Sequence, residues 1–378
     1  MNKLLVKVKG FLAYDFGVLE KRFYWKTAKY LNKYYNRHND VKIVQDKTII
    51  YMLDGRVYSG GISDVIKGIL SMYKYSKEKG YNFKINFCYP YQLCDYLDSN
   101  LYNWKINENE ISYDPNISVP LWMYSVHSTY GRSVEFESKY QLDLLNKFVE
   151  RNSTKQQLHI YTNSEWINED EYSLLFNELF KPSAQLERLL NHHRVNLSNE
   201  YISMTFRFQQ LLGDFENKEA YVKDIQPFLE DIKINNRGHL SESQLRALLG
   251  DFKNKNISVP ITDDNIKNKL IDDCIHKIKE IHSISFPEKK ILITADSETF
   301  LREVRKLDFV YVVSAQNIFD GNENLSKDFK MFVKPFVDIL MLSEANKLFL
   351  LCTGSMYRSG FAKNAALINK KDYEVVLF

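Results

Sequence analysis

The chain is 378 residues long, more than one hydrophobic core of ordinary size accommodates, so two domains are expected. Hydrophobic residues at 44% and charged residues at 26% exclude a disordered chain. A net charge of +3 excludes the strongly basic footprint of a nucleic-acid binder and leaves room for a modest anionic ligand.

Taken in chain order, the amino-terminal segment is broken by Lys3, Lys7 and Lys9 too often for a signal peptide. It also lacks the roughly 18 consecutive apolar residues of a membrane span, so a cytoplasmic location is expected. Residues 18–36 carry aromatic and aliphatic side chains at helical spacing among lysines and predict a basic amphipathic helix. Such a helix either rests on an anionic inner-membrane surface or turns a solvated lysine face outward over a tyrosine-packed core face.

Lys47 to Leu53 reads as a strand, Tyr58 to about Lys79 as a glycine turn running into a helix, and Asn82 to Phe87 as a second strand. Strand, turn, helix and strand form a βαβ unit and imply a parallel sheet. Further strands are expected near Trp122 to His127 and His159 to Thr162, with helices near Lys139 to Arg151 and Glu169 to Phe180. A helix to about His193 leads into the alternating strand Tyr201 to Phe208, which opens a second α/β domain. There the pattern predicts a helix from Asp263 to Ile281 capped by Thr262, a strand from Lys289 to Ser297, strands at 309–314, 347–352 and 373–378, and a helix between Phe329 and Asn346. The short echo between residues 211–218 and 248–255 lacks matching flanks and predicts no repeat architecture. Cys88, Cys94, Cys274 and Cys352 stand singly, without a Cys-x-x-Cys pair, and read as reduced core thiols.

Three strand ends of the second half terminate in small or polar groups: Thr205 with Arg207, Thr294 with Asp296 and Ser297, and Thr353 with Ser355, Ser359 and Gly360. In doubly wound sheets ligands sit outside the carboxyl ends of the strands, so three such ends point to one crevice. The apolar run 348–352, followed by a hydroxyl- and glycine-rich turn and a helix start, is where peptide N–H groups and the helix dipole favour an anion. Arg207, set among aromatics, needs an anionic partner, either a phosphate or a carboxylate such as Asp214 or Glu216. Asp296 and Ser297 either accept from a ribose or base or cap the following helix. Gly60 and Gly61 form a second phosphate-like turn, with Asp64 one turn into its helix as a cap partner or a cleft-facing carboxylate. His127, His192, His193 and His239 have no ligand-like spacing, and the chain has no Asp-x-Asp to hold a divalent cation, so no metal is expected.

Together, the segment from Gly60 to Leu70, the Arg207 strand, Thr294 to Ser297 and Thr353 to Ala366 resemble the fucosyltransferase superfamily. That group includes bacterial nodulation enzymes and eukaryotic α1,6- and protein O-fucosyltransferases; more narrowly, the chain resembles fucosyltransferase-like enzymes of bacterial polysaccharide gene clusters. The resemblance covers residues 50 to 100 and 200 to 370 and implies a GT-B fold: two Rossmann-like domains facing across a cleft, here 1–195 on the acceptor side and 196–378 on the nucleotide-sugar side. It implies that Arg207 meets the β-phosphate of a GDP-sugar, with Asp296, Ser297, Thr353, Ser355 and Ser359 on the nucleotide. Gly60, Gly61, Gly360 and Phe361 complete the candidate donor site. Thr205 stands where the family pattern has histidine, and Phe208 where a second arginine is common. The implied reaction is inverting transfer of fucose or a related deoxyhexose to a cell-surface glycan or lipid-linked oligosaccharide, without cofactor or metal. Asp64 and then Asp214 are the candidate bases. A degenerate GT-B protein that binds a nucleotide or glycan without turnover is the alternative, as is a membrane-bound scaffold using residues 18–36.

Overall fold

The computed structural model describes residues 46–56, 61–123, 134–197, 200–214, 260–313 and 327–378, together with Leu31 and Tyr35. The basic helix expected over 18–36, apart from those two residues, and the second copy of the short echo lie outside the described residues. The chain divides into two compact units, Met1–Pro90 with Ser99–Leu179, and Tyr91–Asp98 with Phe180–Phe378. Both are α/β units built on a parallel sheet, as the alternation of strand and helix patterns predicted.

In the first unit, β1 (Thr48–Leu53), β2 (Asn82–Phe87), β4 (Ser118–Met123) and β5 (Gln157–Thr162) form a sheet of order β2-β1-β5-β4. All neighbours run parallel, for example Thr48↔Asn82 and Thr48↔Gln157. α1 (Ile62–Lys79) joins β1 to β2, α2 (Val134–Arg151) joins β4 to β5, and α3 (Glu169–Leu179) follows β5; the short strands β3 (Leu97–Ser99) and β6 (Phe180–Pro182) form a separate two-stranded sheet. α1 closes at Gly80, whose φ of 69° is a left-handed cap, and it buries a stripe that includes Val65, Ile66, Ile69 and Tyr73. Gly68 lets this helix approach the sheet end: a Cβ there would stand 2.6 Å from the Thr162 carbonyl oxygen. Beside that contact, the Tyr51 hydroxyl donates to the same carbonyl at 2.8 Å. On the opposite face Ile50, Met52 and Tyr161 pack with Leu31 and Trp122. There the His159 ring is hydrogen-bonded to the Tyr35 hydroxyl at 2.6 Å and to Gln157 Oε1 at 3.0 Å.

In the second unit the parallel sheet has the order β11-β10-β7-β8-β9, from β7 (Tyr201–Phe206), β8 (Lys290–Ala295), β9 (Val310–Val312), β10 (Lys347–Cys352) and β11 (Asp372–Leu377). The helices are α5 (Asp264–Ser285), α6 (Glu298–Val304), α7 (Lys327–Glu344) and α8 (Phe361–Ile368). From β7 the chain winds outward through β8 and β9, then returns to the other side of β7 and winds through β10 and β11. The direction of winding therefore reverses between β7 and β10, as in a doubly wound nucleotide-binding sheet. α4 (Ala184–Leu197) packs on α7, and His193 of α4 is hydrogen-bonded to the Tyr311 hydroxyl at 2.7 Å. The segment Tyr91–Asp98 belongs to this unit because the Tyr96 ring stacks on Phe336 at 4.4 Å and on Phe329 at 4.8 Å.

Two expectations change in detail. The cap of α5 is Asp263, one residue later than expected: its extended backbone lets its carboxylate accept from the Asn265 N–H at 2.8 Å. Of the four free thiols, Cys274 and Cys352 are buried, whereas Cys88 is half-buried and Cys94 is exposed on a short turn.

Two consequences are testable on the first unit, which holds the described tryptophans Trp104, Trp122 and Trp166. Gly68→Ala must push α1 off the Thr162 backbone, and tryptophan-monitored urea unfolding should show a loss of about 1–3 kcal/mol. Burial, with the Arg56 charge adding to it, pushes His159 down from its ordinary 6.5 to about 3. The unfolded chain therefore takes up a proton near pH 6.5 that the folded unit refuses. The contribution is intact above that pH and falls by about 1.4 kcal/mol per pH unit as pH drops toward 3. His159→Gln should flatten this part of the stability profile between pH 6.5 and 5; an unchanged slope contradicts the assignment.

Candidate functional site

The site is built at the carboxyl ends of β7, β8 and β10. β7 and β8 run in register to their ends, so Thr205 lies opposite Thr294 and their hydroxyl oxygens are 3.0 Å apart. Past Phe206 the chain turns a corner. Phe208, fully buried, stacks over Phe206 and tilts against Phe300 at 4.9 Å, anchoring the corner in the core. Gln209 takes a φ of 53°, a left-handed conformation that costs an ordinary residue roughly 1–2 kcal/mol.

Asp296, one residue beyond β8, holds this corner from beneath. Its Oδ1 accepts from the Phe208 N–H at 2.7 Å, and its Oδ2 accepts from the Gln209 N–H at 2.8 Å. Arg207 Nε stands 3.2 Å from the same Oδ2. The Asp296 side chain is only 2% exposed, whereas a third of the Arg207 side chain reaches solvent. Burial pushes the Asp296 carboxyl up, and the Arg207 charge and the backbone N–H donors offset part of that rise. Arg207 is also held by its backbone: its carbonyl accepts from the Tyr357 N–H at 3.0 Å. That bond ties the end of β7 to the loop after β10, across the line where the winding direction reverses.

The loop from Thr353 to Gly360 turns at Gly354, whose φ of 56° suits glycine, and is pinned by buried Met356. Ser355, Tyr357, Arg358 and Gly360 are exposed, and Thr353, Ser359 and Phe361 are half-buried. The Ser359 hydroxyl accepts from the Phe361 N–H at 3.2 Å as α8 begins. Ser297 is fully buried and caps α6: its hydroxyl accepts from the Phe300 N–H at 3.2 Å and donates to Asp214 Oδ2 at 3.0 Å. Asp214 Oδ2 also accepts from the Thr299 N–H at 2.6 Å, while its Oδ1 is buried without a hydrogen-bond partner.

Among the residues singled out from sequence, Arg207, Asp214, Asp296, Ser297, Thr353, Ser355, Ser359, Gly360 and Phe361 thus lie at strand ends and loops of one sheet. Gly61 and Asp64 belong to the first unit, where Gly61 caps α1 and Asp64 sits in its first turn. The Asp64 side chain is 51% exposed, 3.6 Å from the Lys67 ammonium, which also pairs with Glu165 at 3.0 Å. Gly60, His127 and His239 lie outside the described residues. Among the described residues no group of three or more His, Cys, Asp or Glu side chains is placed to hold a metal ion, and no helix is long and apolar enough to cross a membrane.

No protein-family profile and no curated protein matches the sequence. Solved structures do resemble it. Fucosyltransferase NodZ from Bradyrhizobium is 14% identical, covering 86% of this chain and 94% of its own, with a TM-score of 0.47. A variant of Arabidopsis thaliana FUT1 in complex with GDP is 10% identical, covering 94% and 74%, also at 0.47. POFUT1 in complex with GDP-fucose is 8% identical, covering 89% and 98%, at 0.45.

Several site residues carry no signal in sequence. The N–H groups of Phe208, Gln209 and Tyr357 act through backbone geometry, which residue type does not report. Of the two carboxylates expected for Arg207, Glu216 lies outside the described residues and Asp214 is occupied by the α6 terminus; among the described residues the carboxylate beside Arg207 is Asp296.

Proposed function

We propose that the protein is an inverting, metal-independent glycosyltransferase of the GT-B, fucosyltransferase-like kind. It would transfer fucose or a related deoxyhexose from a GDP-sugar to a cell-surface glycan or lipid-linked oligosaccharide. The observation that carries this reading is the bond between the Arg207 carbonyl and the Tyr357 N–H, which sets a cation and a hydroxyl-rich loop side by side where the sheet reverses its winding. Ligands of doubly wound sheets bind outside the strand ends at that point. The motif resemblance of the same residues supplies the nucleotide.

In this reading Arg207 and the start of α8 stabilise the leaving diphosphate, one with a fixed charge and the other with the dipole and N–H groups of a helix N-terminus. Thr353, Ser355, Ser359, Gly360 and Phe361 line the phosphates. Ser297, buried and engaged as a cap, stands behind the donor and shapes the loop. The half-exposed Asp64 takes the acceptor proton as general base. Asp214 is the second candidate, and its Oδ2 is already committed to Ser297 and Thr299. The acceptor belongs to the 1–195 side, and contact with the inner-membrane surface through residues 18–36 suits a lipid-linked one.

Incubating the protein with GDP-fucose and following GDP release tests the reading. Arg207→Ala should lower release by roughly a hundredfold or more while the protein still folds, with a lower melting temperature because buried Asp296 loses its counter-charge. Full release by that variant overturns the role of Arg207. GDP binding with no release in the wild type supports the binder without turnover.

A further inference from the structure

We infer that Asp296 is a positioning residue that acts on the donor only through Arg207 and the 207–209 corner, and does not itself touch the nucleotide. The inference rests on the donor-site reading above and changes the part played by one of its residues. Three donors converge on this one carboxylate: the N–H groups of Phe208 and Gln209 at 2.7 and 2.8 Å, and Arg207 Nε at 3.2 Å. With 2% of the side chain exposed, no carboxylate surface is left to meet a ribose or base.

The arrangement is that of a backbone anion nest, two successive N–H groups closing on one anion with the second residue left-handed, filled here from within by the protein's own carboxylate. A non-glycine residue at φ 53° persists only where its surroundings over-determine it, and these two hydrogen bonds supply that constraint. The same carboxylate engages Arg207 through Nε and so fixes the plane of the guanidinium. Its backbone is fixed at the other end by the Tyr357 N–H. An arginine held at both ends loses little rotamer freedom when it meets a phosphate. The helix cap, which Asp296 would otherwise explain, is supplied by Ser297.

The test is a double-mutant cycle read by calorimetry with two probes, GDP and guanosine. Asp296→Asn should weaken GDP roughly ten- to a hundredfold, the range for a hydrogen bond to a charged group. It should leave guanosine within about twofold, because the loss falls on the diphosphate alone. In an Arg207→Ala background the same change should cost GDP little more, since two residues acting as one unit are not additive. Equal weakening of GDP and guanosine, or additive losses, overturns the inference and returns Asp296 to direct contact or a purely structural role.

Asp296→Asn combined with Gln209→Gly keeps the test alive if the single variant folds poorly, because glycine accepts the left-handed corner without help. That double variant should melt near the wild type and still bind GDP weakly; recovered GDP affinity contradicts the positioning role. Nitrogen-15 arginine spectra without ligand separate the two readings. A protected Arg207 Nε–H in the wild type that exchanges fast in Asp296→Asn supports the positioning even if no nucleotide binds, in which case only the donor-site reading falls. Unchanged Nε–H protection in the variant overturns the positioning whatever binds.

Discussion

The second unit depends on a reversal of winding. Parallel strands need long crossovers, and right-handed crossovers carry successive strands in one direction until the chain starts again on the other side of the first strand. Here that break falls between β7 and β10, adjacent strands whose carboxyl-end loops carry Arg207 and the Thr353 to Gly360 turn. One backbone hydrogen bond joins those two loops.

Placing a cation at such an edge raises a solvation problem. A buried carboxylate is costly unless its oxygens are satisfied, and Asp296 meets that requirement with two peptide N–H groups and Arg207. The exchange is mutual: the corner needs an acceptor for N–H groups that have left the strand ladder, and the arginine needs a fixed counter-charge. Phe208 completes the arrangement from below by packing its ring against both Phe206 and Phe300, which also touch each other. Thr205, paired with Thr294, likewise keeps the strand ends small and closed to solvent.

Much of this was legible in the sequence, and the division follows physical lines. Strand and helix patterns at residues 47–87 and 201–378 are carried by hydrophobic period, which survives without knowledge of tertiary contacts. The grouping of Arg207, Asp296 and the Thr353 loop followed from the rule that strand ends converge, so residue type and position were enough. Partner choice was not legible. Asp214 is closer to Arg207 along the chain, yet among the described residues Asp296 is the carboxylate beside it, because β7 and β8 run in register and deliver both residues at one level. The cap of α5 moved by one residue for a similar reason, since Thr262 and Asp263 are both good caps and only the backbone turn separates them. The need for Gly68 was hidden too, because a close approach to Thr162 is a property of the packed helix and strand, not of the helix sequence. Tyr91 to Asp98 joins the second unit through aromatic stacking across more than two hundred residues of chain, which no local pattern reports.

The central claim is that the strand ends around Arg207 hold a nucleoside diphosphate. Calorimetric titration of the whole protein with GDP, UDP, CDP and ADP, with and without Mg²⁺, tests it most directly. The account predicts binding of GDP in preference to the other three, with the same affinity in both conditions. Binding of none of the four nucleotides would contradict the claim, and a preference for UDP would contradict the GDP-sugar assignment.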